Sequence, residues 1–217
     1  MLIDLSHTIE HGMITYKGLP APVISDYLSR EDSRRHYERG TEFHIGKIEM
    51  VANTGTYLDS PFHRYADGAD LAGLDLYSLA NVDGIVVRVV DEGRREIDES
   101  AVRSLDVKRK AVLFQTNWDL HWRTDTYSNG EHPFLTDGAA TYLAKGGAAI
   151  VGIDSYNIDS ITDGRRPVHS ILLGHDIPIV EHLCGLREVP DSGFKFFAVP
   201  VKVEQFGTFP VRAFVIV

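Results

Sequence analysis

The sequence predicts an α/β domain with a mixed sheet, on three observations. Short runs rich in Val, Ile, Leu and Phe recur at 2–5, 82–90, 111–115, 148–153 and 177–180. Their length and composition are those of buried strands. Helical patterning is sparse and strongest over 136–145 and 167–174. No repeat, low-complexity tract or linker interrupts the chain, so residues 1–217 read as one domain.

The elements follow in order. Residues 2–5 open as a short buried strand. Residues 10–42 are rich in Gly, Pro and charge without a period, and read as loop with a short helix near 29–38. A loop of that length in a compact domain is often functional. In 43–51, Ile45, Lys47 and Glu49 alternate with Gly46, Ile48 and Met50, which predicts a strand. Residues 71–79 are a broken apolar stretch, 82–90 a clear strand, 98–104 a short helix and 111–115 another buried strand. Thr136 is placed to cap a helix through Lys145, with Gly146-Gly147 as its stop. The strand at 148–153 runs into Asp154. A helix over 167–174 starts at or after Pro167, and 177–180 is a strand. Residues 194–203 and 210–217 close the chain as strands.

The densest signal is Asn53-Thr-Gly-Thr-Tyr57-Leu-Asp59-Ser-Pro61-Phe-His63. Side chains alternate on a strand. An extended 51–59 therefore puts Asn53, Gly55, Tyr57 and Asp59 on one face, with Gly55 leaving room for close approach and Pro61 turning His63 toward the rim. An ordinary polar turn is the alternative for Asn53-Thr-Gly-Thr taken alone.

This segment resembles the signature His-x-Gly-Thr-His-x-Asp-x-Pro-x-His of the cyclase-like metal-dependent hydrolases, the family that includes kynurenine formamidase and isatin hydrolase. Gly55, Thr56, Asp59, Pro61 and His63 match, while Asn53 and Tyr57 stand where the family has histidines. The resemblance continues in Ile3-Asp4-Leu5-Ser6-His7, in Gly12-Met13 with Tyr16, and in Val112–Trp118. It extends through Gly152-Ile153-Asp154 with Asp159, His169 through Glu181, and Val199–Lys202.

The resemblance implies a swivelling β/α/β-type cyclase fold, a homodimer or homotetramer, and hydrolysis of an amide, lactam or lactone in a small aromatic substrate. It implies Asp59, His169 and Glu181 as metal ligands and His63 as the acid/base group. With two ligand positions replaced, one divalent metal, Zn or Mn, is expected rather than two. An amide at Asn53 is a weak ligand, and Tyr57 binds metal well only when deprotonated. Asn53 is then expected to contact substrate, and Tyr57 to donate to an oxyanion, to ligate weakly or to fill the vacated site. The alternative is a metal-free ligand-binding or catalytically altered relative that has lost the ancestral activity.

Other residues are weaker candidates. Trp118, with Trp122 and Tyr127, could form a substrate-facing aromatic wall or anchor a surface loop. Arg165-Arg166 could grip a substrate carboxylate or be simply solvated. Asp154 and Asp159 follow a buried strand, where functional groups and loop caps both occur. His175 and His182 are left outside the site by their spacing from His169 and Glu181.

Composition bounds the partners. The net charge of −9 argues against nucleic acid, so a small-molecule substrate is expected. No apolar run approaches a membrane span, and the N-terminus has no signal-peptide pattern. One cysteine, Cys184, permits no internal disulfide. A cytoplasmic protein is expected.

Overall fold

A computed structural model describes residues 1–90, 93 and 95–217. In chain order its elements are β1 (Leu2–Asp4), β2 (Val23–Leu28), α1 (Arg30–Ser33), β3 (Ile45–Glu49), β4 (Tyr57–Asp59), β5 (Val82–Arg88), β6 (Glu96–Ile97) and β7 (Ala111–Gln115). They continue with β8 (Phe134–Leu135), α2 (Asp137–Gly146), β9 (Ile150–Ile153), α3 (Pro167–Leu173), β10 (Ile179–Glu181), β11 (Ser192–Phe197), β12 (Thr208–Pro210) and β13 (Phe214–Ile216).

Among the described residues, nine strands form one sheet in the order β1-β13-β11-β5-β7-β9-β10-β4-β12. The centre, β5 to β10, is parallel, and the flanking pairs are antiparallel. This is the mixed α/β sheet that the sequence predicts. Alternation divides the core between the sheet's faces. On β7, Leu113 packs with Leu58, Val180 and Phe196. Val112 and Phe114 point the other way, against Ala139, Ala140 and Leu143 of α2 and Val168 and Leu172 of α3. Burial of these side chains at about 25 cal/mol per Å² is the main force holding the layers together. Gly84 is required by this packing, since a Cβ there would lie 2.0 Å from the Phe194 ring on the neighbouring strand.

The caps follow the sequence. The Thr136 side chain accepts from Ala139 N, and Gly147 closes α2 in the left-handed region, at φ 73°. Pro167 occupies the first turn of α3, where its missing N–H is harmless.

Several boundaries differ from expectation. Residues 23–28, read as loop, form β2 and pair with β3 in a hairpin whose side chains are largely exposed. Without a buried face there is no hydrophobic alternation to read. The helix expected near 29–38 is only Arg30–Ser33, capped by Ser29. The helix expected at 98–104 is a single 3-10 turn. The strand expected over 194–203 ends at Phe197. Gly55, at φ +66°, bends the chain, so only Tyr57–Asp59 of the signature is strand. Asn53 therefore does not share a strand face with Tyr57 and Asp59. No helix among the described residues is long and apolar enough to cross a membrane.

Candidate active site

The register of β4 on β10 builds the centre. Tyr57 lies opposite Glu181, and Asp59 opposite Ile179. Leu58 and Val180 enter the core away from the helices, so Tyr57, Asp59 and Glu181 face the layer that α3 covers. There α3 delivers His169. Pro61 starts a 3-10 turn that carries His63 to the rim. Thr208 on β12 is paired with Asp59 across the next ladder.

Tyr57 is almost fully buried, and its hydroxyl donates to Glu181 Oε2 at 2.5 Å. The other Glu181 oxygen accepts from Ile158 N at 2.6 Å. The Tyr16 hydroxyl lies 3.0 Å from that of Tyr57, and Asn157 Nδ2 donates to the Tyr16 oxygen at 3.0 Å. Burial, reinforced by Glu181, pushes the Tyr57 phenol well above its ordinary value of 10.0. Tyr57 is thereby favoured in its protonated form, which is a poor metal ligand. While Glu181 is ionised it can only accept, so the one Tyr57 proton is engaged there. The oxyanion-donor role expected of Tyr57 would require that bond to break.

His169 is held by Asp159, which accepts from Val168 N at 2.8 Å, His169 N at 3.0 Å and His169 Nδ1 at 2.6 Å. This points His169 Nε2 at Asp59 Oδ2, 3.7 Å away, and Glu181 Oε1, 3.8 Å away. Burial opposes a charged imidazole here, but the bond to Asp159 and the nearby carboxylates of Asp59 and Glu181 outweigh it. The His169 pKa is held up at about 10. Glu181 is raised, chiefly by burial.

Asp59 is fully buried, and its Oδ1 accepts from the Thr208 hydroxyl. Its Oδ2 is buried without a hydrogen-bond partner. The same Thr208 oxygen lies 2.8 Å from His63 Nδ1. The Thr208 proton goes to the carboxylate, so Thr208 accepts from His63 and Nδ1 carries a proton; in the neutral ring this tautomer leaves the lone pair on Nε2.

These groups border a cavity of about 340 Å³. Asn53, Tyr57, His63, His169 and Glu181 line it, with Tyr16, Arg64, Asn157, Arg165 and Arg166. Asp59 lies beneath the lining. A larger cavity of about 630 Å³ beside loops 10–17 and 123–128 contains none of the carboxylates or imidazoles of this centre.

Of the residues singled out in the sequence, Asn53, Tyr57, Asp59, His63, His169 and Glu181 come together. Trp118 does not: it is absent from the cavity lining, its Nε1 donates to Tyr127 O at 3.0 Å, and its ring packs on His121. Trp122 stacks on His7 at 3.9 Å, so this loop's aromatics anchor the loop. His182 is buried away from the cavity, with Nδ1 2.7 Å from the Tyr127 hydroxyl. Cys184 is half-buried, and burial pushes its thiol up to about 12, leaving it inert. Sequence reasoning missed Thr208 and left Asp159 between a functional group and a loop cap. Asp159 does cap the start of α3, and the Asp-x-x-x-x-Asp spacing after β9 was its one signal.

Asp59, His63 and His169 each present a ligand atom within 4.8 Å of the others, a grouping able to hold a metal ion. Asp59 Oδ2 accepts no hydrogen bond, and a cation shared with His169 Nε2 would satisfy it. The expected third ligand, Glu181, adjoins His169 but already has a donor on each oxygen.

Comparison with known proteins agrees with this architecture. The sequence model of the "Putative cyclase" family matches residues 3–160. Kynurenine formamidase of Bacillus cytotoxicus is 29% identical over 222 residues, covering 98% of this chain and 96% of that one. A "predicted metal-dependent hydrolase" from Bacillus stearothermophilus superposes with a TM-score of 0.77 at 25% identity, covering 99% of this chain and 97% of that one. Isatin hydrolase A from Labrenzia aggregata shares the fold, with a TM-score of 0.83 at 17% identity over 99% of this chain and 93% of that one. These relatives place the protein among the enzymes of the cyclase and arylformamidase type. The chain belongs to the cyclase family.

Proposed function

We propose that the protein hydrolyses a C–N or C–O bond, in an amide, lactam or lactone of a small aromatic molecule, at a mononuclear divalent metal site. The observation that carries this reading is the buried Asp59 Oδ2, which accepts no hydrogen bond and faces His169 Nε2 at 3.7 Å. A buried carboxylate oxygen without a partner is costly unless a cation or donor satisfies it. The relatives named kynurenine formamidase support amide hydrolysis and an aromatic substrate.

Asp59 and His169 would hold the metal, with Glu181 beside them. Oxygen and imidazole donors suit Zn or Mn alike. A bound metal supplies Lewis acidity to polarise a carbonyl and acidify water. The remaining work falls to the chain. His63 Nε2, left basic by the Nδ1–H bond to Thr208, takes a proton from the attacking water and returns it to the leaving group. Asp159 keeps Nδ1 of His169 bonded so that Nε2 faces the centre. Asn53 contributes a polar contact to substrate on the cavity wall. The exposed apolar side chains of β2 and β3, among them Ile24 and Ile48, support a homodimer or homotetramer.

A second reading has its own observation. Both Glu181 oxygens are satisfied by Tyr57 and Ile158, and His169 is already bonded to Asp159 and faces the carboxylates of Asp59 and Glu181. That favours a metal-free relative that binds ligands or has altered chemistry. Metal content measured by mass spectrometry separates the two, on protein purified without a histidine tag or chelator. About one equivalent of Zn or Mn, lost in His169→Ala, with turnover of aryl amides or lactones lost in His63→Ala, supports the hydrolase. No metal after soaking at neutral pH rejects it. Parallel Glu181→Gln and His63→Ala samples identify the third ligand.

A further inference from the structure

We propose that Arg64 and Arg166 form a subsite for a carboxylate on the substrate, on the wall of the cavity that also holds His63 and His169. The inference deepens the hydrolase reading and rests on it for the word substrate, though the subsite can be tested without turnover.

The argument begins with charge. The chain carries a net charge of −9, Glu181 lines the cavity, and Asp59 lies beneath the lining. An anionic ligand is repelled from both unless local cations receive it. Arg64, Arg165 and Arg166 all line this cavity. Arg165 is neutralised by Asp163, through contacts of 3.0 and 2.7 Å. Among the described residues, no carboxylate lies within ion-pair distance of Arg64 or Arg166.

Both guanidiniums are positioned by neutral groups. Arg166 Nη1 donates to Asn157 Oδ1 at 3.0 Å, and Arg166 is half-buried. Arg64 Nε donates to Ser170 Oγ at 3.2 Å, and its guanidinium lies over the Tyr65 ring. Ser170 N in turn donates to Arg166 O at 3.0 Å, which ties both arginines to the same turn of α3. Arg166 adopts a left-handed backbone, at φ 49°, uncommon for a non-glycine residue. Planar forks held by neutral acceptors keep their charge and donors for a ligand, and they match carboxylate geometry. A carboxylate received here turns the rest of an aromatic ligand toward His63 and His169.

Benzoate and benzamide are the probes, being alike in size and differing in charge. Their affinities would be measured by calorimetry on the full chain, both metal-replete and chelator-treated. Benzoate is expected to bind the chelator-treated protein more tightly than benzamide. Arg64→Gln and Arg166→Gln should each weaken benzoate about tenfold, the effect of one charged hydrogen bond. Benzamide binding should be unchanged in both. Arg64 is exposed, so Arg64→Gln serves as the variant least able to disturb folding, and Arg166→Lys should recover part of the loss. Equal binding of the two probes overturns the proposal. So does benzoate binding that survives both substitutions and is lost in His169→Ala, which places the anion on the imidazoles. Arginine-dependent benzoate binding without hydrolysis of any amide or lactone would leave the subsite standing and remove the hydrolase reading.

Discussion

The Tyr57 hydroxyl and Glu181 Oε2 meet at 2.5 Å across paired strands, because Tyr57 lies directly opposite Glu181 in the β4–β10 register. In the signature that this segment resembles, position 57 is a metal-binding histidine. Here a phenol that burial keeps protonated occupies the space beside a buried carboxylate. A hydroxyl proton thus sits where the resemblance would put a second cation, which is why the proposed site has one metal.

Removing that hydroxyl should be costly. Tyr57→Phe leaves Glu181 Oε2 with only the distant Tyr16 and Asn157 groups, at 3.4 and 3.5 Å. A loss of about 1.5–3 kcal/mol is expected for a hydrogen bond to a charged group. Urea denaturation at neutral pH measures it, and an unchanged midpoint would show that the bond contributes nothing.

Asp159 acts through His169. Asp159→Asn removes the carboxylate that fixes Nδ1 and helps hold the imidazole at about 10. The His169 pKa should fall, read by nuclear magnetic resonance titration of the metal-free protein. Metal affinity should weaken by about 10–100-fold, as for other ligand-orienting partners. A titration curve identical to that of the parent would rule out this positioning role.

Burial pulls His132 down to about 4 from an ordinary 6.5. Between those values the unfolded chain binds a proton that the folded ring does not, so stability is present above pH 6.5 and declines as pH falls toward 4. His7, also about 4, and His182, lowered further by burial, act in the same direction. Asp154, raised to about 7 by burial, opposes them, since its folded carboxyl keeps a proton that the unfolded one releases. His132→Asn should therefore lose less stability than the parent between pH 6.5 and 4.5, by up to about 1.4 kcal/mol per pH unit. Parallel slopes in denaturation series would contradict this.

Gly207 links the closing strands to His63. A Cβ there would stand 2.5 Å from His63 N and 2.6 Å from its Cα, both backbone atoms. Gly207→Ala must shift the turn that carries His63, and a displacement near 1 Å is expected to lower turnover about 10²-fold. Gly138→Ala is the control, because its nearest contact would be an ordinary 3.7 Å. Comparable rates in both variants would mean that His63 tolerates the movement.

Most of the core strands and both longer helices were legible in the sequence because their signals are local. The run Ala111–Gln115, the Thr136 cap with its Gly147 stop, and Pro167 at the start of α3 each declare themselves within a few residues. The β2–β3 hairpin was not legible, since an exposed pair has no buried face to impose alternation. Motif resemblance gathered Asp59, His63, His169 and Glu181 although the chain separates them widely. The sequence left Trp118 between an aromatic wall and a loop anchor, and only the fold shows its indole turned to Tyr127 O.

By itself, then, the sequence determined the fold class, the residue types at the centre and the loss of two histidines at positions 53 and 57. Only the tertiary structure decided how those residues are used. Strand register set Tyr57 against Glu181, the approach of α3 brought Asp159 behind His169, and β12 placed Thr208 between Asp59 and His63. Hydrogen-bond partnership depends on distances between segments far apart in the chain. No local pattern encodes those distances until the sheet and helices have packed.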